Sequence, residues 1–363
     1  MPSTFTLPQK YKEITDAGRE TLIKTLGWAV IRQSVYEVCR GKNLRDVTEM
    51  LTRRRLALLN AALLTWTLDS DSWEDLLNQA GAAIHQGKLP KAERWTAQWL
   101  LGLTDKARQN VLRDQKTNLD TYIAQYKQAL VDITQESIET FGPLTGNLQL
   151  GQKIQDIDWS FFLFLLSAVG AQTLTIRGSE KSLYGKFFEP LVLGTLLTCL
   201  GFRFVSDPQS IPPNPHGIFW LSSREEKRES DATLIYRPGK GVRFDIGFIG
   251  RGNPEISLDK VSRFERQAKI SSQSYDVLTL ILVDRIGKNS HIQERAQDIG
   301  GYIIQMSMGY WPRTVAQTLQ HELGFDHPIL KKDDAELEQY LKECINKAPL
   351  AAFLHQSQDD AKS

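Results

Sequence analysis

The chain has 363 residues, 41% hydrophobic and 24% charged, which allows one large domain or two ordinary ones with ample core. Its 44 Lys and Arg balance 43 Asp and Glu to a formal net charge of +1, which excludes a globally basic nucleic-acid binder and leaves such a partner only a local surface. Three widely spaced cysteines, Cys39, Cys199 and Cys344, with no CxxC, argue against a disulfide framework and a zinc site and suit a reducing cytoplasm.

In chain order, the start lacks the basic-then-apolar form of a signal peptide. The stretch from about Thr15 to Glu139 reads as mostly helical. Leu51 to Leu64 is rich in helix formers behind the basic run Arg53, Arg54, Arg55. Trp66, Trp73, Trp95 and Trp99 supply bulky packing, and Asp71 or Ser72 is placed to cap a helix. Asp114 to Thr140 reads as a further helix. Phe141-Gly-Pro-Leu-Thr-Gly-Asn then punctuates the chain and sets a boundary near residue 145. The apolar run Phe161 to Ala171 is too short to span a bilayer and reads as a buried segment.

The second part, 146–330, alternates strands and helices. Ser182 to Leu200 is apolar at helical spacing and is interrupted by Pro190, so it is either kinked or two short helices. Gly201 to Val205 reads as a short strand. Asp231 to Tyr236 and Val242 to Ile249 form a hairpin around Pro238-Gly239, a pair suited to the centre of a type II turn. Glu255 to Leu258 is expected as a third strand and Asp259 to Ser271 as a helix. Val277 to Val283 is nearly all apolar, as a strand buried on both faces should be. A helix around Ser290 to Ile299, a strand from Tyr302 to Met306 and a helix from Arg313 to Leu323 complete an α/β pattern. Residues 331–363 are expected to form a C-terminal helix and a frayed tail.

In the hairpin, Phe244, Ile246 and Phe248 alternate with Arg243, Asp245 and Gly247, and in the next segment Ile256 and Leu258 alternate with Glu255 and Ser257. This sets Asp245 and Glu255 on successive strands, facing away from the apolar side. Singly, either acid is an ordinary strand charge. Together they are what a divalent metal needs to activate water against a phosphodiester. Asp231 reads as a strand terminus, with a third acid as the alternative. P-loop, GxGxxG and nucleophile-elbow motifs are absent, which argues against a nucleotide cofactor.

The order helix, hairpin, third strand, helix, buried strand resembles the PD-(D/E)XK nuclease core over roughly Gly178 to Leu323. The segment Tyr184-Gly-Lys-Phe-Phe-Glu-Pro-Leu-Val-Leu-Gly resembles the CfrBI-like group of type II restriction endonucleases. The resemblance implies a central mixed sheet flanked by helices, preceded by a largely helical region at 1–145 that serves recognition or dimerisation. It implies Mg²⁺ held by Asp245 and Glu255, with Glu189 on the preceding helix as a further ligand and Glu180 as its alternative. The family's lysine two residues after the second carboxylate is here Ser257, so Lys260 is the candidate for the missing cation, with Lys240 at the hairpin tip more remote. Arg263, Arg266 and the run Arg53, Arg54, Arg55 are the phosphate-contacting candidates. The implied partner is double-stranded DNA, cut by a cytoplasmic homodimer with no membrane attachment. A repair or recombination nuclease and a non-catalytic DNA-binding protein with a degenerate core are the rival readings.

Overall fold

The computed structural model describes residues 5–16, 18–70, 72–112, 116–222, 230–248, 276–284 and 301–355. Helices come first: α1 (Gln9–Thr15), α2 (Arg19–Cys39), α3 (Leu44–Thr67), α4 (Trp73–Gln86), α5 (Lys91–Leu100), α6 (Asp105–Leu112) and α7 (Lys116–Phe141). A hairpin, β1 (Gly146–Leu150) and β2 (Lys153–Ile157), leads into the long helix α8 (Trp159–Cys199). Then follow β3 (Arg203–Phe204), β4 (Ile218–Leu221), β5 (Ala232–Arg237), β6 (Lys240–Gly247), β7 (Asp276–Val283) and β8 (Gly301–Gln305). The helices α9 (Trp311–Leu323), α10 (Asp334–Lys347) and α11 (Leu350–His355) close the chain.

Local chemistry explains several boundaries. Ser72 caps α4, its Oγ accepting from the Asp75 amide at 3.1 Å. Asp333 and Glu336 form a reciprocal capping box on α10. Gly239 takes φ +79°, as the third position of a type II turn requires. Pro190 lies inside a continuous α8, so the long helix neither stops nor restarts there.

The chain divides into two compact units, one formed by Met1–Glu20 and Met50–Lys181, the other by Thr21–Glu49 and Ser182–Ser363. This division differs from a single cut near residue 145. The first unit is helical apart from the β1–β2 hairpin. Its core gathers Leu59, Leu63, Leu77, Trp73, Trp95 and Trp99 around Phe164 and Ile176 of α8. Trp66 packs against that core from outside, so all four tryptophans do the packing work expected of them.

The second unit is a mixed α/β structure. Among the described residues its sheet has six strands in the order β3-β4-β5-β6-β7-β8. The pairs β4–β5 and β5–β6 are antiparallel, and β3–β4, β6–β7 and β7–β8 are parallel. Leu280, Ile281 and Leu282 of β7 are wholly buried, so that strand is covered on both faces. β6 lies between β5 and β7, with Asp245 opposite Ile281 in the β7 ladder, and the expected third strand Glu255 to Leu258 lies outside the described residues.

The N-terminal segment of this unit is tied to its far end. Arg32 Nη1 donates to the Ile345 and Ala348 carbonyls at 2.5 and 3.0 Å. Tyr36 donates to Glu338 at 2.9 Å, and Trp311 Nε1 donates to the Val38 carbonyl at 2.8 Å. The cysteine reading also needs correction: Cys199 and Cys344 are paired as a disulfide, while Cys39 is buried and burial pushes its thiol up to about 12.

Gly194 on the C-terminal part of α8 faces Phe353 of α11, where an added Cβ would stand 2.7 Å from the ring. Gly194→Ala is therefore expected to cost about 1–3 kcal/mol through overpacking. Urea denaturation checks this, and an unchanged midpoint would mean that the ring has room to move.

Candidate active site

The site is built on the β5–β6 hairpin. In β6 the residues Phe244 and Ile246 are wholly buried, as the alternation requires. Asp245 between them is only 7% exposed, so its face of the sheet is covered rather than open to solvent. The reason is position: β6 has a strand on each side, and central strands of such sheets are covered on both faces. A carboxylate in such a place needs an ionic or hydrogen-bonding partner.

Asp231 immediately precedes β5 and meets the same segment. Its amide donates to the Phe244 carbonyl at 2.9 Å, and its Oδ2 accepts from the Ile246 amide at 2.9 Å. The ladder ends at Ala232 opposite Phe244, and the bond from the Asp231 amide to that same Phe244 carbonyl shifts it by one residue, so Asp231 lies at the end of the ladder beside Phe244 and Ile246. Carboxylates near one end of a hairpin are hard oxygen donors of the kind a divalent cation takes. Among the described residues there is no group of three or more His, Cys, Asp or Glu suited to a metal ion.

The other sequence candidates fall in several places. Glu189 is half-buried on α8, and its carboxylate lies back along the helix, 3.9 Å from where a Cβ on Gly185 would stand. Glu180 is 2% exposed and belongs to the first unit, where Arg55 Nη1 reaches its Oε1 at 3.3 Å. Arg55 also donates to the carbonyls of Ile14 and Thr15, at 3.1 and 2.8 Å. The reading of Arg55 as a phosphate contact is thus corrected, because its guanidinium is turned inward and its donors are used. Arg53 and Arg54 beside it are exposed on α3. Lys240 starts β6, five residues from Asp245, about 17 Å along an extended strand. Glu255, Ser257, Lys260, Arg263 and Arg266 lie outside the described residues.

Asp231 is the residue that strand-by-strand reading undervalued. Counting outward from Pro238-Gly239 leaves residue 231 one step further from the turn than residue 245, and the bulge between Ile235 and Arg237 that draws them closer carries no sequence signal.

The family model described as CfrBI restriction endonuclease matches residues 28–291, a span that holds α8, β3 to β7 and both aspartates. The chain belongs to the CfrBI restriction endonuclease family. It is 34% identical over 354 residues to the type II restriction enzyme CfrBI of Citrobacter freundii, an alignment covering 96% of this chain and 97% of that one. No solved structure matches. As a CfrBI-family member the protein is a sequence-specific restriction endonuclease.

Proposed function

We propose that the protein cuts both strands of duplex DNA by Mg²⁺-dependent hydrolysis at a site centred on Asp245 and Asp231. The observation that carries this reading is the end of the β5–β6 hairpin, where the Asp231 carboxylate accepts from the amide of Ile246, the residue after Asp245. The sheet order β4-β5-β6-β7, two antiparallel pairs followed by a parallel one, supports a PD-(D/E)XK-type core. On that pattern the residue two beyond the second carboxylate is Gly247, so the usual lysine is missing from β6 as well as from the segment at Ser257.

Asp245 and Asp231 would hold the metal, with Glu189 and Glu255 as further acids for the same role. Magnesium, when bound, lowers the pKa of water and offsets charge on the scissile phosphate. Asp231 keeps its orientation through the Ile246 amide, so one oxygen is fixed before any ligand arrives. The buried setting of Asp245 excludes bulk water and strengthens its electrostatic reach. Lys260 supplies the positive charge that Gly247 and Ser257 cannot, and Ser257 contributes a hydrogen bond at most. Arg53, Arg54, Arg263 and Arg266 contact backbone phosphates. The first, helical unit serves recognition and dimer contacts. The active species is a cytoplasmic homodimer, because a two-fold pair of sites cuts both strands of a palindromic duplex.

Incubation with supercoiled plasmid separates this reading from its rivals. Discrete fragments with Mg²⁺ and none with EDTA are expected. Random nicking would indicate a repair-type nuclease. No cleavage with Mg²⁺ or Mn²⁺ would indicate a binding protein on a degenerate core.

A further inference from the structure

Helix α8 begins with a run that solvent-facing helices do not carry. From Trp159 to Ile176 it holds 18 residues without one charged side chain; the first is Arg177. Phe164, Ala168, Ala171 and Ile176 face the core of the first unit. The opposite side was expected to be buried too, but it is open: Phe162 is 39% exposed, Leu166 51% and Leu174 68%. A soluble helix turns charged or polar residues outward, so a helix apolar on both sides is one that something covers.

The exposed residues form a single row at i, i+4 spacing: Phe162, Leu166, Gly170, Leu174, Gly178. Such rows are the ridges by which helices most often pack. The row spans about 24 Å at 1.5 Å per residue. The row can be laid against its own reverse. When the helix meets an antiparallel copy of itself about Gly170, Leu166 meets Leu174, Phe162 meets Gly178, and Gly170 meets itself. Phe162 is set against a glycine, the leucines pair with each other, and the residue at the crossing has no Cβ. The glycines are unobstructed, with nothing within 4 Å of an added Cβ at 170 or 178.

We infer that this ridge is the two-fold contact between two copies of the chain. The inference rests on the homodimer reading above and names its surface. An isologous contact requires that a patch be complementary to itself, and this row is. DNA does not fit, because the row itself carries no charge to meet phosphates and Arg177 is exposed at its end. The area suffices. Phe141, 76% exposed and with its ring 6.2 Å from that of Trp159, extends the patch at the start of α8. With the three exposed residues of the row it presents roughly 400 Å² of apolar surface per copy, taking roughly 150–250 Å² for each large side chain. Two copies give about 800 Å², and at the roughly 65% apolar content of homodimer interfaces the whole contact reaches about 1,200 Å².

The test is sedimentation of the full chain at micromolar concentration, with and without cognate duplex, for wild type and Leu166→Glu/Leu174→Glu. Wild type is expected to be dimeric. The double variant should keep its circular dichroism and lose dimerisation by more than about 100-fold, since each charge would be buried unpaired. Gly170→Cys adds a register check: mild oxidation should cross-link it to its own copy. Leu174→Cys should not, because the two copies of residue 174 lie about 12 Å apart along the helices. A double variant that stays dimeric, or equal cross-linking at both positions, overturns this surface while the homodimer reading stands. A wild type that is monomeric even on cognate duplex overturns both. Binding of wild type to neutral lipid vesicles through Leu166 and Leu174, without dimers, overturns the inference in favour of a membrane contact.

Discussion

Asp245→Asn is expected to reduce single-turnover plasmid cleavage by about 10³-fold or more, the scale of losing a preorganised electrostatic group at the reacting phosphate. Asparagine keeps the volume of a side chain that is almost wholly buried, so folding should persist. A gel shift without metal should show DNA binding close to wild type. Asp231→Asn should fall with it, because Asp231 holds the amide of Ile246, the residue after Asp245. Near-normal cleavage by Asp231→Asn, together with a collapse in Glu255→Gln, would move the partner role to Glu255. Near-normal cleavage by Asp245→Asn would remove the site altogether.

The second large effect is on stability. Arg55→Ala is expected to destabilise the protein by about 3–5 kcal/mol, because it leaves Glu180 charged and unpaired in the interior of the helical unit. It also frees the carbonyls of Ile14 and Thr15, which hold α1 against α3 through the same guanidinium. Arg53→Ala and Arg54→Ala, on the exposed side of the same helix, should shift stability by less than about 0.5 kcal/mol. Their effect, if any, should appear as weaker DNA binding with a smaller salt dependence. Chemical denaturation of the three variants decides, and equal midpoints would contradict an inward role for Arg55. The Arg55→Ala, Glu180→Gln pair should recover part of the loss, since glutamine removes the buried charge.

Much of the second unit was legible in the sequence because its strands carry short-range signals. Pro238-Gly239 marked the turn, the apolar run from Val277 marked a strand covered on both faces, and alternation around Asp245 marked the strand that bears it. Pairing was less legible. Nothing local to Glu255 reveals that β6 has β7 as its second neighbour, since that choice is made by a crossover and by packing over the whole sheet. The exposure of Asp245 was misjudged for the same reason: alternation tells which residues share a face, and the elements laid over that face decide whether water reaches it. Arg55 shows the limit in the helical part. Three consecutive arginines look alike in one dimension, and only the helix's rotation and the arrival of Glu180 distinguish the one that points inward. The Cys199–Cys344 bond, across 145 residues, carried no local signal at all.

The second compact unit is made of two stretches of chain with the bulk of the other unit threaded between them, and its ties run from Arg32, Tyr36 and Val38 to residues about 300 positions later. On the ribosome the early stretch emerges long before its partners exist. It waits, with its apolar face uncovered, while the intervening helices fold around their own tryptophans. Closing so large a loop is slow, and the sheet that bears Asp245 completes only at the end of synthesis. The sheet therefore completes after the helices, and a chain broken off early carries the helices without it. For exchange of parts between relatives, the segment 21–49 travels with the C-terminal sheet, and a chimera joined near residue 145 would separate elements that hydrogen-bond to each other.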